Sequence, residues 1–192
     1  MIDKLYTYYL TSDKRTSHAL KNRMLWYIYR LLKVRLFSYY KRLRLKQELL
    51  DPKSHVIVSL TSLPSRIDQV HLTIKSIFNQ SYMPNKIILW LGEEMFPNKY
   101  KDLPNSLLKL QDNGLDIKFR KDLGPHTKYY YAFTDYKHYK VVTIDDDLFY
   151  PKAMLSILVS NSEKFPKSVI ANRVREMRWV NGHLEPYRSW SI

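Results

Sequence analysis

Short, β-branched apolar runs recur along residues 56–171 with helix-forming segments between them, and this alternation leaves the chain few architectures. The runs are residues 56–60 (Val-Ile-Val-Ser-Leu), 87–91 (Ile-Ile-Leu-Trp-Leu), 116–120 (Asp-Ile-Lys-Phe-Arg), 141–144 (Val-Val-Thr-Ile) and 168–171 (Ser-Val-Ile-Ala). Each has the length and composition of a buried strand. Between the first two, Val70, Ile74, Ile77 and Phe78 keep a helical period. A short helix is expected between Pro104 and Gly114, and another over residues 128–135. Pro151 suits the first turn of a further helix. The expected fold is α/β, a Rossmann-like and mostly parallel sheet with helices on both faces and right-handed crossovers.

In such sheets ligands bind beyond the carboxyl ends of the strands, where the strand order reverses. The polar turns after the first, third and fourth runs, residues 61–66, 121–128 and 145–147, should therefore gather along one edge. The third of these turns is Asp145-Asp146-Asp147, directly after the apolar run that ends at Ile144. Three adjacent carboxylates repel one another, so positive charge must offset them. Along extended backbone Asp145 and Asp147 share a side and Asp146 takes the other. Asp145 and Asp147 can thus reach one hard divalent cation, magnesium or manganese, which keeps waters and bridges to phosphates. Asp146 can face a sugar or ribose hydroxyl. An acidic turn that merely caps the following helix is the plainer alternative.

Charge divides the chain in two. Residues 1–46 hold twelve Lys or Arg against Asp3 and Asp13, and residues 47–192 hold twenty against sixteen acids. From Leu20 to Leu43 apolar residues recur mostly three or four apart, with nine basic residues from Lys21 to Lys46 and the rings of Trp26, Tyr27, Tyr29 and Tyr40 among them. Residues 1–50 read as a basic amphipathic helical arm, and residues 14–46 are expected to lie on an anionic membrane surface. A helix packed on the globular part and a nucleic-acid arm are the other readings. No uncharged stretch approaches the ~20 residues that cross a bilayer. The sequence has no cysteine, which excludes thiol nucleophiles and Cys-based zinc sites and suits a reducing cytoplasm. With no secretory signal visible, the expected place is the inner face of the membrane.

The order of Val-Ser-Leu-Thr-Ser-Leu-Pro-Ser-Arg (58–66), Ser-Ile-Phe-Asn-Gln (76–80), Ile-Leu-Trp-Leu (88–91), Asp-Leu-Gly-Pro-His-Thr-Lys-Tyr-Tyr (122–130) and Thr-Ile-Asp-Asp-Asp (143–147) resembles the GT-A glycosyltransferases. More narrowly, it is similar to bacterial enzymes of surface-polysaccharide assembly, over roughly residues 55–175. The resemblance implies a nucleotide-sugar-binding domain over residues 51–192. It implies a metal-dependent transfer of sugar from a donor, UDP-linked by expectation, to a glycan or lipid-linked acceptor. By the same resemblance the loop from Thr61 to Arg66 would hold the nucleotide base and ribose. Lys128 would approach the donor diphosphate or base, Asp145 and Asp147 would hold manganese or magnesium, and Asp146 would lie near the ribose or donor sugar.

Other residues weigh less. His126 could serve as a base, and Asn172-Arg173 could touch donor or acceptor. Glu176 and Glu185 are the base candidates after the carboxylate run. Residues 174–192 read as the start of an acceptor half, so an incomplete or degenerate donor-binding enzyme is also expected as an alternative. A phosphatase with an Asp-x-Asp nucleophile would carry it on the first strand, with Thr or Val where Phe149 stands. A non-enzymatic membrane- or nucleic-acid-binding protein would rest on the arm alone. Acids at the ligand edge of the globular part oppose phosphate binding without a metal, which disfavours nucleic acid.

Overall fold

The computed structural model describes residues 19–45, 50–172 and 174–190, apart from the side chains of residues 19–26 and 29. They form two compact units: residues 36–155, and a second whose described parts are residues 19–35 and 156–190. The proposed membrane-binding residues 14–18 and 46, and Arg173, lie outside the described residues.

The larger unit is built on four parallel strands, β1 (Val56–Thr61), β2 (Lys86–Gly92), β3 (Leu115–Arg120) and β4 (Lys140–Thr143), in the order β3-β2-β1-β4. The first three strands step outward in one direction. The chain then returns past β2 to lay β4 on the free side of β1, so the strand order reverses between β1 and β4. A right-handed crossover fixes the face on which each connection lies. Helix α2 (Ile67–Phe78), between β1 and β2, and the helix before β4 move in opposite directions across the sheet and so cover opposite faces.

Central strands covered on both faces are near-continuous apolar runs, and β1 and β2 are, apart from the buried and hydrogen-bonded Ser59. Ile57, Val58, Leu60, Ile87, Ile88, Leu89, Trp90 and Leu91 are all fully buried. On one face Ile57, Ile88 and Trp90 pack with Ala132, whose helix α4 (Thr127–Asp135) also brings Tyr131 against them. Helix α2 buries Val70, Ile74, Ile77 and Phe78, the i, i+4, i+7, i+8 stripe seen in the sequence. The link from β2 to β3 holds the short helix α3 (Asn105–Leu108) and a final 3-10 turn. That turn ends at Gly114, whose φ of 102° turns the chain into β3.

Helix α1 (Ala19–Arg42) is continuous over the basic arm. Its last turns belong to the larger unit, where Leu36 and Tyr40 are buried and the Tyr40 ring stacks on Phe149 at 5.2 Å between centroids. The Lys75 ammonium, in the last turn of α2, donates to the Tyr40 and Leu43 carbonyls at 3.1 and 2.9 Å. A cation there meets the negative end of the α1 dipole and satisfies carbonyls that have no helical partner. Burial pushes the Lys75 ammonium below the usual lysine range.

Two expectations need correction, and one element was not foreseen. Residues 168–171 are not a strand: Val169 is 97 % exposed, and the Ser168 amide closes a turn on the Phe165 carbonyl. A β-branched run becomes a strand only with a ladder neighbour, and none pairs with this one among the described residues. Helix α5 (Met154–Lys164) starts three residues after Pro151, whose carbonyl accepts from the Met154 amide and the Gln80 side chain in the turn before it. A hairpin that sequence reading overlooked pairs β5 (Trp179–Val180) with β6 (His183–Leu184). Its turn is Asn181-Gly182, both at positive φ, the pairing that suits a two-residue hairpin turn.

Tyr40→Ala should cost about 3 kcal/mol of unfolding free energy, as aromatic-to-alanine truncations in cores do. Urea titration of the two proteins measures it, and an unchanged midpoint would show that α1 does not dock through this ring.

Candidate functional site

The strand reversal places the ends of β1 and β4 side by side, and all three polar turns meet there. Ile144 continues the ladder one residue past β4 by donating to the Ser59 carbonyl at 3.0 Å. The chain then leaves the sheet as Asp145-Asp146-Asp147. The three carboxylates have different surroundings. The Asp146 side chain is only 7 % exposed, whereas Asp145 and Asp147 are 59 % and 53 % exposed.

Asp146 turns inward to the loop after β1. One carboxylate oxygen accepts from the Ser62 hydroxyl at 2.6 Å, and the other accepts from the Arg66 guanidinium at 2.7 Å. The same guanidinium nitrogen reaches Asp147 at 3.3 Å. A buried carboxylate needs such donors, since an unpaired charge in the interior would cost several kcal/mol. Asp145 turns to the third loop, where the Lys128 ammonium donates to it at 2.6 Å. Arg66 and Lys128, singled out from sequence, thus both stand on the carboxylate run. Thr61 is half-buried and its hydroxyl donates to the Trp90 carbonyl at 2.9 Å, which ties the end of β1 to β2. Asp146, expected to face a ribose or sugar, spends both oxygens on Ser62 and Arg66.

Each loop is held from behind. Lys128 sits in the first turn of α4, where the helix dipole disfavours a cation, so its position rests on other contacts. Its carbonyl accepts from the Ser59 hydroxyl, and Ser59 in turn accepts from the buried Trp90 indole at 2.8 Å. Asp122 folds the preceding turn by accepting from the Gly124 amide and the Thr127 hydroxyl at 3.1 and 3.2 Å. Gly124 has a φ of 62°, which a side chain would resist.

The carboxylate turn is fastened by polar side chains on the buried face of α2 and just past its end. Thr73 donates to the Asp146 carbonyl at 2.9 Å, and Ser76 accepts from the Tyr150 amide at 3.1 Å. Gln80 donates to the Pro151 carbonyl at 2.9 Å and accepts from the Leu155 amide at 3.0 Å. The Tyr150 hydroxyl closes the turn on itself by accepting from the Asp145 amide at 2.8 Å. Sequence reading missed Ser62, Thr73 and Tyr150 as site supports. The available signal was a polar residue, Thr73, on the apolar stripe of α2, where only a hydrogen-bonded polar group is tolerated.

His126 contacts the hydroxyl of Tyr129 one turn along, not the carboxylates. Asn172, Glu176 and Glu185 belong to the smaller unit, where the Glu185 amide donates to the Arg178 carbonyl at 2.8 Å. Among the described residues no three His, Asp or Glu side chains gather as a ready metal cage. A cation here would have the two outward carboxylates, Asp145 and Asp147, and would complete its shell with water and phosphate oxygens. Magnesium-type ions are commonly held by one or two carboxylates plus substrate phosphates, so this donor set fits one.

No model of a known protein family matches the chain, and no curated protein is similar to it in sequence.

Asp146→Ala should lower stability by about 1–3 kcal/mol, because it strips Ser62 of its buried acceptor. Asp145→Ala and Asp147→Ala should each cost less than about 1 kcal/mol, as exposed ion pairs do. Chemical denaturation of the three variants tests the ordering; equal losses at all three positions would contradict the inward and outward division.

Proposed function

We propose that the protein is a glycosyltransferase that binds a nucleotide-sugar donor, UDP-linked by preference, through a divalent cation at Asp145 and Asp147. The observation that carries this reading is the meeting of three loops at the sheet's reversal point, with two outward carboxylates flanked by Arg66 and Lys128. Ligands of open α/β sheets bind at that place. Charge supports it too. Three carboxylates against two cations leave one negative charge, which a divalent ion converts to one positive charge. A sugar-nucleotide diphosphate, with two negative charges, is then attracted to a site it would otherwise avoid.

In this reading the bound ion supplies Lewis-acid stabilisation to the leaving diphosphate. Arg66 and Lys128, released from part of their carboxylate contacts, grip the phosphate oxygens. The loop from Thr61 to Arg66 borders the nucleoside. Asp146 holds Arg66 and that loop in place while it stands next to the ribose or donor sugar. The acceptor hydroxyl oxygen forms the new bond to the anomeric carbon, and the nucleoside diphosphate leaves with the electrons of the broken carbon–oxygen bond. The acceptor, in this reading a glycan or lipid-linked sugar of surface-polysaccharide synthesis, gives up its hydroxyl proton to a carboxylate base.

Titration calorimetry with UDP-sugars and manganese tests the donor site. Heat of binding should appear with the ion, vanish with chelator, and fall at least about tenfold in affinity for Asp145→Ala or Asp147→Ala, a loss of ~1.4 kcal/mol. No heat from the unaltered protein across UDP-linked sugars would refute the reading. Lys128→Ala should weaken UDP binding and leave the fold intact, since its ion pair is exposed at Asp145.

A further inference from the structure

The outer face of α1 over residues 27–35 is apolar and basic at once. Leu31 is 66 % exposed and Val34 is 60 % exposed, and Tyr27 and Ile28 also open to solvent. At 3.6 residues per turn these four side chains span an arc of about 120°. Arg35 falls inside that arc and Arg30 lies about 40° beyond its edge, whereas Lys33 lies on the opposite side of the helix. All three basic residues are exposed, and no acid occurs anywhere from residue 14 to residue 46. Among the described residues no helix is long and apolar enough to cross a membrane.

An apolar arc that carries Arg35 and is flanked by Arg30 needs a partner that satisfies both kinds of side chain. Polyanionic nucleic acid would pair with the cations and leave Ile28, Leu31 and Val34 facing water. An anionic lipid surface takes both groups. Aliphatic side chains and the Tyr27 ring enter the boundary between headgroups and acyl chains, and Lys or Arg stems carry their charges back to lipid phosphates. We infer that α1 lies in the plane of an anionic membrane surface and docks there through Tyr27, Ile28, Leu31 and Val34, with Arg30 and Arg35 on the headgroups. This narrows the membrane-binding arm expected from sequence to one face of one helix. It uses no residue of the carboxylate site, so it stands or falls separately from the donor reading.

The test is co-sedimentation of the full chain with vesicles of phosphatidylcholine alone or mixed with phosphatidylglycerol. The protein should pellet with the anionic vesicles only. Replacing Arg30 and Arg35 together by Gln should weaken binding by more than tenfold, at roughly fivefold per cation. The pair Leu31→Ser and Val34→Ser should weaken it by at least about tenfold at the same salt, the loss expected when two aliphatic side chains no longer bury. A reading that alters the face less comes from a spin label at Leu31→Cys, the sole thiol in a chain without cysteine. On anionic vesicles the label should become shielded from a water-soluble relaxing agent. Absence of sedimentation with anionic vesicles overturns the inference. So does binding that ignores the Ser substitutions, leaves the label open to water and is competed away by RNA, which would be phosphate binding by charge alone.

Discussion

A carboxylate taken out of water must be paid for with donors, and Asp146 meets that demand from a different part of the chain. Ser62 and Arg66, some eighty residues earlier, supply its hydrogen bonds. That one interaction joins the end of β1 to the turn after β4. It also sorts the carboxylate run: one member is drawn inward and neutralised, and its two neighbours are left facing outward. Arg66 touches both Asp146 and Asp147, so the group that settles the buried charge also holds part of the exposed one. Without this contact, three like charges on consecutive residues would drive the turn open.

The sheet makes the contact possible. Because β4 lies against β1 and not against β3, the turns after the two strands emerge as neighbours. The Lys128 loop arrives from the opposite face of the sheet, where Ser59 and Trp90 fasten the start of α4. Behind the carboxylate turn, Thr73 and Ser76 present polar atoms from an otherwise apolar helix face, and Gln80 adds its amide just past the helix end. These buried bonds act together: each leaves the backbone of residues 145–155 fewer ways to move. A site assembled from loops gains its rigidity from such supports.

The strands of the sheet and the helices between them were legible because their apolar periods differ, two or continuous for strands and 3.6 for helices. The convergence of residues 61–66, 121–128 and 145–147 followed from the rule for parallel sheets, before any coordinates. What periodicity could not show was partner choice. Residues 168–171 have strand composition, yet no neighbour pairs with them, and sequence does not reveal the vacancy. The hairpin at Asn181-Gly182 was written in turn chemistry, but its strands are two residues each, too short for an apolar period. The inward turn of Asp146 depends on Ser62 and Arg66 folding back to it, a tertiary fact that alternation along the strand foreshadows only in direction. Helix α1 shows a mixed case. Its apolar residues were visible, but their division between a docked stripe at Leu36 and Tyr40 and an exposed one at Leu31 and Val34 required the structure.

Nuclear magnetic resonance of the labelled protein titrated with manganese and UDP addresses the central claim, that three loops at the reversal point form one cation and diphosphate site. Paramagnetic broadening should begin at the amides of residues 145–147 and extend to residues 61–66 and 122–128, with the far ends of the strands unaffected. Broadening confined to another part of the chain, or none at the carboxylate turn, would contradict it.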